Sequence, residues 1–229
     1  MQFRDWEPVY KRVLGDFGYS RAADERARDL LGTMVTRFDR SLLTDIAGAE
    51  VVVAGAGPSL SAGVEEAAAA DVVVAASAAA ERLRTAGVNV DVMVTDLDKT
   101  PGTARELTEA GVPVAIHAHG DNLEELQTHV TSMNADYVVP TTQASPSGPV
   151  RNFGGFTDGD RAAFLADAFG AEQLTFVGWD FDDPTLDEDK DQKLRWAARL
   201  LHWLEHRRDE EFAVLDGRRR LLDVPAEAR

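Results

Sequence analysis

At 229 residues and 44% hydrophobic content, the chain can fill one large core or a core with an appended helical segment, so disorder is expected only at its ends. A formal net charge of -16, from 40 acidic and 24 basic residues, repels a nucleic-acid backbone, and the absence of cysteine excludes disulfides, thiolate metal sites and a cysteine nucleophile. No apolar stretch approaches the ~18 residues of a membrane span, and Met1-Gln2-Phe3-Arg4-Asp5-Trp6 lacks the apolar core and cleavage site of a signal peptide, so no membrane partner and a cytoplasmic location are expected.

Residues 1–48 read as helical. Trp6, Val9, Tyr10, Val13, Leu14 and Phe17 share one face at helical spacing, and Leu30, Leu31, Met34, Val35 and Phe38 make a second stripe. From Glu50 the pattern changes to short β-branched runs, predicting strands over 50–55, 71–76, 90–95, 112–117, 135–139 and 173–178. The segments between them, such as 78–86 and 103–110, have helical composition and end at Gly87 and Gly111, which suit the position after a helix. This alternation predicts an α/β fold with a Rossmann-like, mostly parallel sheet flanked by helices. Residues 141–155, with Pro146, Gly148, Pro149, Gly154 and Gly155, read as a loop longer than packing needs. An amphipathic helix through Phe164, Leu165, Ala168 and Phe169 follows, and another carries Leu194, Ala197, Leu201 and Leu204. The expected organisation is a helical segment over 1–48, a catalytic α/β domain over 49–211, and a tail over 212–229 with a hairpin turning at Asp216-Gly217.

Only Lys11, Lys99, Lys190 and Lys193 are lysines. An acid-rich, lysine-poor surface suits a salt-saturated cytoplasm, where self-repulsion is screened, so a halophilic source is expected. Most surface acids are then solvation devices, and acids at strand ends carry the functional weight. Thr95-Asp96-Leu97-Asp98 directly follows the run 90–94, and the run 112–116 leads into His117-Ala118-His119-Gly120-Asp121-Asn122. In open α/β sheets that end of the strands is where ligands bind. Paired acids there repel one another unless a cation relieves them, which suits Mg²⁺ held against a polyphosphate and a phosphoryl- or diphosphoryl-transfer enzyme. Asp98 can equally cap the next helix, and Asp121 or Asn122 can do the same. His117 and His119 alternate onto one face; without a third nitrogen or a thiolate they favour substrate hydrogen bonding or proton handling over zinc, with a satisfied strand-end histidine as the alternative.

The turn Gly55-Ala56-Gly57-Pro58-Ser59-Leu60 follows the first strand, where glycines permit close backbone approach and a helix start offers N–H groups to an anion. Pro58 fits a first helical turn and Ser59 can donate or cap; an ordinary strand-helix turn would look the same. Thr157 and Asp160 form an acidic capping box. That leaves the Gly154-Gly155 pair, expected to be exposed, and Arg161, a good phosphate fork one turn into the helix.

The elements GAGPSL, VTDLD, HAHGDN, NFGGFTDGDRA and VGWDF, in this order over residues 50–182, resemble the archaeal 6-hydroxymethyl-7,8-dihydropterin pyrophosphokinase (MptE-like) family. The core is similar to the catalytic domain of thiamin pyrophosphokinases, with Thr95 to Lys99 like a G-D-F-D-S element and Thr157 to Arg161 like a T-D-x-x-K element. The resemblance implies transfer of diphosphate from ATP to the pterin hydroxymethyl group with Mg²⁺, releasing AMP, in tetrahydrofolate or methanopterin biosynthesis. It implies Asp96, Asp98 and Asp121 as metal ligands, with Asp158 a further candidate, and Arg161 facing developing charge. Gly55, Gly57, Pro58, Ser59, Asn122, Thr157 and Asp158 would serve ATP. His117, His119, Asn152, Phe153, Gly154, Gly155 and Asp180 would bound the pterin, with Phe156 or Trp179 stacking on it. Ser77 stands where related proteins often carry an acid and has no assigned role, and Lys99 replaces a small residue, which could add a phosphate contact or carry no role. Pterin and ATP are the expected partners, and a homo-oligomer is compatible with the sequence. A thiamin pyrophosphokinase is disfavoured by the amino-terminal helices and HAHGDN. A non-catalytic nucleotide-binding domain related to surface-glycan proteins is disfavoured by the acids at several strand ends.

Overall fold

The first apolar stripe folds as α1 (Phe3–Phe17), stopped by Gly18 in the left-handed conformation. Helix α2 (Arg21–Met34) follows. A computed structural model describes residues 1–35 and 37–224. Within the stretch read as helical, Arg40–Ile46 is a 3-10 segment, opened by the Asp39 carboxylate accepting from the Ser41 N–H.

Strands and helices then alternate: β1 (Glu50–Ala54), α3 (Val64–Ala69), β2 (Val72–Ala76), α4 (Ala78–Thr85), β3 (Val92–Thr95), α5 (Pro101–Glu109) and β4 (Val114–Ala118). They continue through α6 (Leu123–His129), β5 (Val138–Thr142), α7 (Asp158–Ala168), β6 (Gln173–Val177) and α8 (Glu188–Arg208). All six strands are parallel, in the order β5-β4-β3-β2-β1-β6. Both faces are covered, which is why the strands are near-continuous apolar runs. Val51, Val53, Val74 and Val94 share a core with Trp6, Phe164 and Trp203. On the other face Val52, Ala75 and Met93 pack with Leu31, Leu83 and Leu126. Among the described residues no helix is long and apolar enough to cross a membrane.

Two expectations need correction. The fifth strand starts at Val138, because Ala135–Tyr137 is a 3-10 turn in which Asn134 accepts from the Asp136 N–H. Thr141 and Thr142 therefore belong to the sheet and not to the loop, and Pro140 is tolerated because β5 is an edge strand. Around Asp216-Gly217 the tail forms two 3-10 turns, Ala213–Leu215 and Arg219–Leu221, where a hairpin was expected. Arg219 ties the second turn to α8, donating to Glu205 at 3.0 Å and so holding the tail against the helix. Residues 225–229 of the expected tail lie outside the described residues.

The chain runs from β1 outward to β5, then returns to place β6 on the other side of β1. The carboxyl ends of β1 and β6 are thus a topological switch point, where loops diverge and a ligand crevice opens.

Candidate active site

At the end of β3 the chain makes a tight reversal. The buried Thr95 hydroxyl accepts from the Leu97 N–H at 2.9 Å, and Leu97 adopts a left-handed backbone (φ 72°) that buries its side chain. The acids on either side of it, Asp96 and Asp98, line the cleft, and the Asp98 N–H donates to Asp96 at 3.1 Å. Helix α7 brings Asp158 to the same place, so that one carboxylate oxygen from each of Asp96, Asp98 and Asp158 lies within 4.8 Å of the others. Arg161, one turn along, donates to Asp158 at 3.0 Å.

Three carboxylates this close do not ionise independently. Burial pushes Asp98 up, and the neighbouring Asp96 charge carries it to about 6. Burial, with Asp96 again contributing, raises Asp158 to about 8. Asp96 is pushed up by burial too, but hydrogen bonds with His119 and Asp98 and the Arg161 charge outweigh this and hold it well below the carboxylate range. An all-oxygen set of this size suits a hard divalent cation, which would relieve the repulsion. Asp121 was expected in the set. It lines the same cleft but is exposed and outside the three-acid group, because its neighbour Asn122 is the residue that turns inward.

The HAHGDN element divides into structural and cleft-facing members. Asn122 is buried, donates to Asp96 O at 2.8 Å and His117 O at 2.7 Å, and accepts from the His119 N–H at 3.0 Å. It staples the β3 and β4 ends together and, contrary to expectation, leaves nothing for ATP. His117 is buried beneath the cleft. Thr141 donates its hydroxyl to Ile116 O, so it accepts from His117 Nδ1 at 3.1 Å, leaving Nε2 as an unpartnered acceptor. Burial and the Arg161 charge lower its pKa and keep the imidazole neutral. His119 does reach the cleft, with Nε2 3.4 Å from Asp96 Oδ2.

The glycine turn after β1 is a junction with the β6 loop. The Gly55 N–H donates to Val177 O and the Gly57 N–H to Gly178 O, while Arg82 donates to the carbonyls of Ala56 and Gly57. Asp180 Oδ2 accepts from the Ser59 N–H at 3.0 Å and from its hydroxyl at 2.8 Å. A carboxylate of this chain thus holds the position an anionic ligand would take at Ser59. The same oxygen is therefore committed and not free for a pterin ring. Gly55, Gly57, Pro58 and Asp180 all line the cleft.

The NFGG element is a brace and lies outside the wall of the acid-lined cleft. Asn152 donates to the carbonyls of Gln143 and Ala144, each at 2.8 Å, and accepts from the Gly154 N–H at 2.9 Å. Phe153 packs edge-on against Phe38 and Phe169. Gly154 and Gly155, expected to be exposed, are buried, and a Cβ at Gly155 would lie 2.6 Å from the Arg161 backbone. Gly154 and Gly155 are glycine for close packing on α7, and Phe153 and Gly154 line a small cavity of about 10 Å³. Thr157 caps α7 with Asp160 closing the capping box, as expected. Arg161 is itself buried; besides Asp158 it reaches Gln143 at 3.4 Å.

Together these loops enclose a cleft of about 720 Å³. Its wall includes Tyr19, Gln143, Lys190 and Lys193, which no sequence motif singled out. It also includes Ser77, whose backbone is strained (φ 47°, ψ -121°) and whose buried hydroxyl has no partner. An all-parallel sheet with an acid-lined cleft at its switch point defines an α/β protein of the Rossmann-like class with a preformed ligand site. The 6-hydroxymethylpterin diphosphokinase MptE-like family model matches residues 28–185, and the chain belongs to that family. It is 38% identical to the 6-hydroxymethyl-7,8-dihydropterin pyrophosphokinase of Pyrococcus furiosus, over 90% of this chain and 95% of the relative. The proteins of the same name from Methanothermobacter thermautotrophicus and Methanocaldococcus jannaschii are 36% and 29% identical, over 91% and 93% of this chain and 97% and 99% of theirs.

Proposed function

We propose that this chain moves diphosphate from ATP to the hydroxymethyl oxygen of 6-hydroxymethyl-7,8-dihydropterin, releasing AMP, on a route to tetrahydrofolate or methanopterin. The observation that carries this reading is the meeting of Asp96, Asp98 and Asp158 within 4.8 Å, inside the switch-point cleft of a chain from this family. The three acids would hold Mg²⁺, which when bound neutralises phosphate charge and holds the triphosphate. Attack is in line: a bond forms between the hydroxymethyl oxygen and the β-phosphorus, and the bond from that phosphorus to the α-β bridging oxygen breaks, so AMP departs with the bridging oxygen. His119 donates its Nε2–H toward the ionised Asp96 and would steady that acid, and the hydroxyl proton would pass to solvent water. Arg161 holds Asp158 in position and adds positive charge behind it. Tyr19, Phe156 and Trp179 offer aromatic faces on the cleft for a pterin ring, and Trp179 is fixed by its Nε1–H donating to Val53 O at 3.1 Å.

Chromatography of a single-turnover reaction in molar KCl tests the reading, with hydroxymethyl-dihydropterin and thiamin offered separately. AMP and a diphosphorylated pterin are expected. ADP as the main nucleotide product, or AMP formed with thiamin and not with the pterin, would sink it.

A further inference from the structure

Lysine is scarce in this chain. Arginine supplies twenty of the 24 basic residues, and only four are lysines. The cleft wall takes up 29 of 229 residues, so an even scatter would place at most one lysine there; three of the four, Lys99, Lys190 and Lys193, line it. The fourth, Lys11, lies on α1 and pairs with Glu7.

Helix stability does not account for Lys190. It is the third residue of α8, where the helix dipole favours acids and disfavours cations. The other charged residues of that turn, Glu188, Asp189 and Asp191, follow the rule. Nor does ion pairing account for it: Lys193 is held by Asp189 at 2.6 Å, but among the described residues Lys190 makes no ion pair. Its charge and that of Lys99 both act on Asp98, and Lys99 Nζ lies 3.9 Å from that carboxylate. Both cations therefore share the cleft wall with the acid cluster. A chain carrying -16 charges would otherwise repel a polyphosphate from this opening. A lysine ammonium is a compact point charge suited to phosphate oxygens.

We infer that Lys190, on α8, and Lys99 are binding residues for the anionic phosphates of the diphosphate donor. The inference rests on ATP being the donor. Neither residue belongs to any motif read from the sequence as a phosphate loop.

Having only four lysines makes the test direct. Amine acetylation followed by mass spectrometry reads each one in the intact protein, in molar KCl, without ligand, with a non-hydrolysable ATP analogue plus Mg²⁺, and with the pterin alone. Lys190 and Lys99 are expected to be labelled several-fold more slowly with the ATP analogue and at an unchanged rate with the pterin, while Lys11 reacts equally throughout. Lys190→Ala should raise KM for ATP by about tenfold, the size of one charged hydrogen bond, with a smaller change in kcat. Lys190→Arg should restore most of it, and Lys11→Ala should change nothing. Labelling of Lys190 that ignores the ATP analogue, or an unchanged KM in Lys190→Ala, overturns the assignment while AMP formation leaves the diphosphokinase reading standing. If calorimetry detects no ATP binding by the wild-type protein, both fall.

Discussion

The Asp24 carboxylate accepts the side-chain amide of Gln143 at 2.9 Å, joining the amino-terminal helices to the loop after β5 across 119 residues of sequence. Tyr10 donates to the same oxygen at 2.6 Å, and the other oxygen accepts from the Gly120 N–H at 2.8 Å, in the loop after β4. Gln143 in turn reaches Arg161, and its carbonyl accepts from Trp6 Nε1 and from Asn152. One buried carboxylate thus sets the spacing of two rims of the cleft. Asp24→Ala strands the buried Tyr10 and Gln143 donors and the half-buried Gly120 N–H, and should lower unfolding free energy by about 3 kcal/mol. Denaturant titration in molar KCl checks the size. Asp24→Asn, which keeps the shape and part of the bonding, should lose less stability yet still lower kcat. Full activity in Asp24→Asn would mean that the network matters only for folding.

Asp98 separates a metal role from a structural one. Its raised pKa means that the folded state holds the ionised form unfavourably, so the carboxylate detracts from stability as pH rises from its unfolded value of 3.8 through about 6 and beyond. Asp98→Asn removes that repulsion. In metal-free buffer at neutral pH the variant should melt at the wild-type temperature or above it. Turnover with ATP, Mg²⁺ and the pterin should fall by at least about a hundredfold if the three acids hold the cation, because one of its oxygen ligands would be weakened. A clear drop in melting temperature together with surviving activity would reverse the assignment. Asp96→Asn should also abolish turnover.

The fold was legible because parallel strands buried on both faces leave continuous Val-rich runs, and glycines at positions 87 and 111 do adopt positive φ after their helices. The acids at the β3 end were legible for a related reason: a polar pair following a buried run has nowhere to go but the strand end. What the sequence hid was which polar residues face inward. Asn122 and Asp121 are neighbours of similar character, yet one is stapled to two strand ends and the other is exposed. Asn152 to Gly155 read as an exposed loop because glycine pairs mark both ligand approach and tight packing, and here packing on α7 explains them. The placement of Lys190 depends on how α8 returns to the cleft, which local pattern does not encode. Its one signal was scarcity.

The charge imbalance predicts a salt requirement. With -16 formal charges, compaction brings acids together, and screening at molar salt relieves them. The melting temperature should rise between low salt and molar KCl by on the order of 10 °C, about 3 kcal/mol for a chain of this size. Sodium chloride should act similarly if screening is the cause. A melting temperature indifferent to both salts would rule out this account.

Gly57 tests what the turn after β1 is for. A Cβ there would lie 2.1 Å from Asp180 Oδ2 and 2.7 Å from Gly178 O, so Gly57→Ala must push the β6 loop away from the β1 turn. That loop's Asp180 is what satisfies Ser59 in the protein. Overpacking of this kind typically destabilises by about 1–3 kcal/mol, and the displaced loop carries part of the cleft wall, so KM for ATP should rise as well. Ser59→Ala is the informative partner, because it removes the hydroxyl but keeps the backbone N–H and the junction. If ATP phosphates take over Ser59 from Asp180, this variant should raise KM for ATP several-fold at near-normal stability. If the turn serves only to join β1 and β6, Ser59→Ala should instead leave KM unchanged and cost about 1 kcal/mol of stability, the size of the one hydrogen bond lost to Asp180. Initial-rate kinetics against ATP, beside a melting curve for each variant, distinguishes the two outcomes.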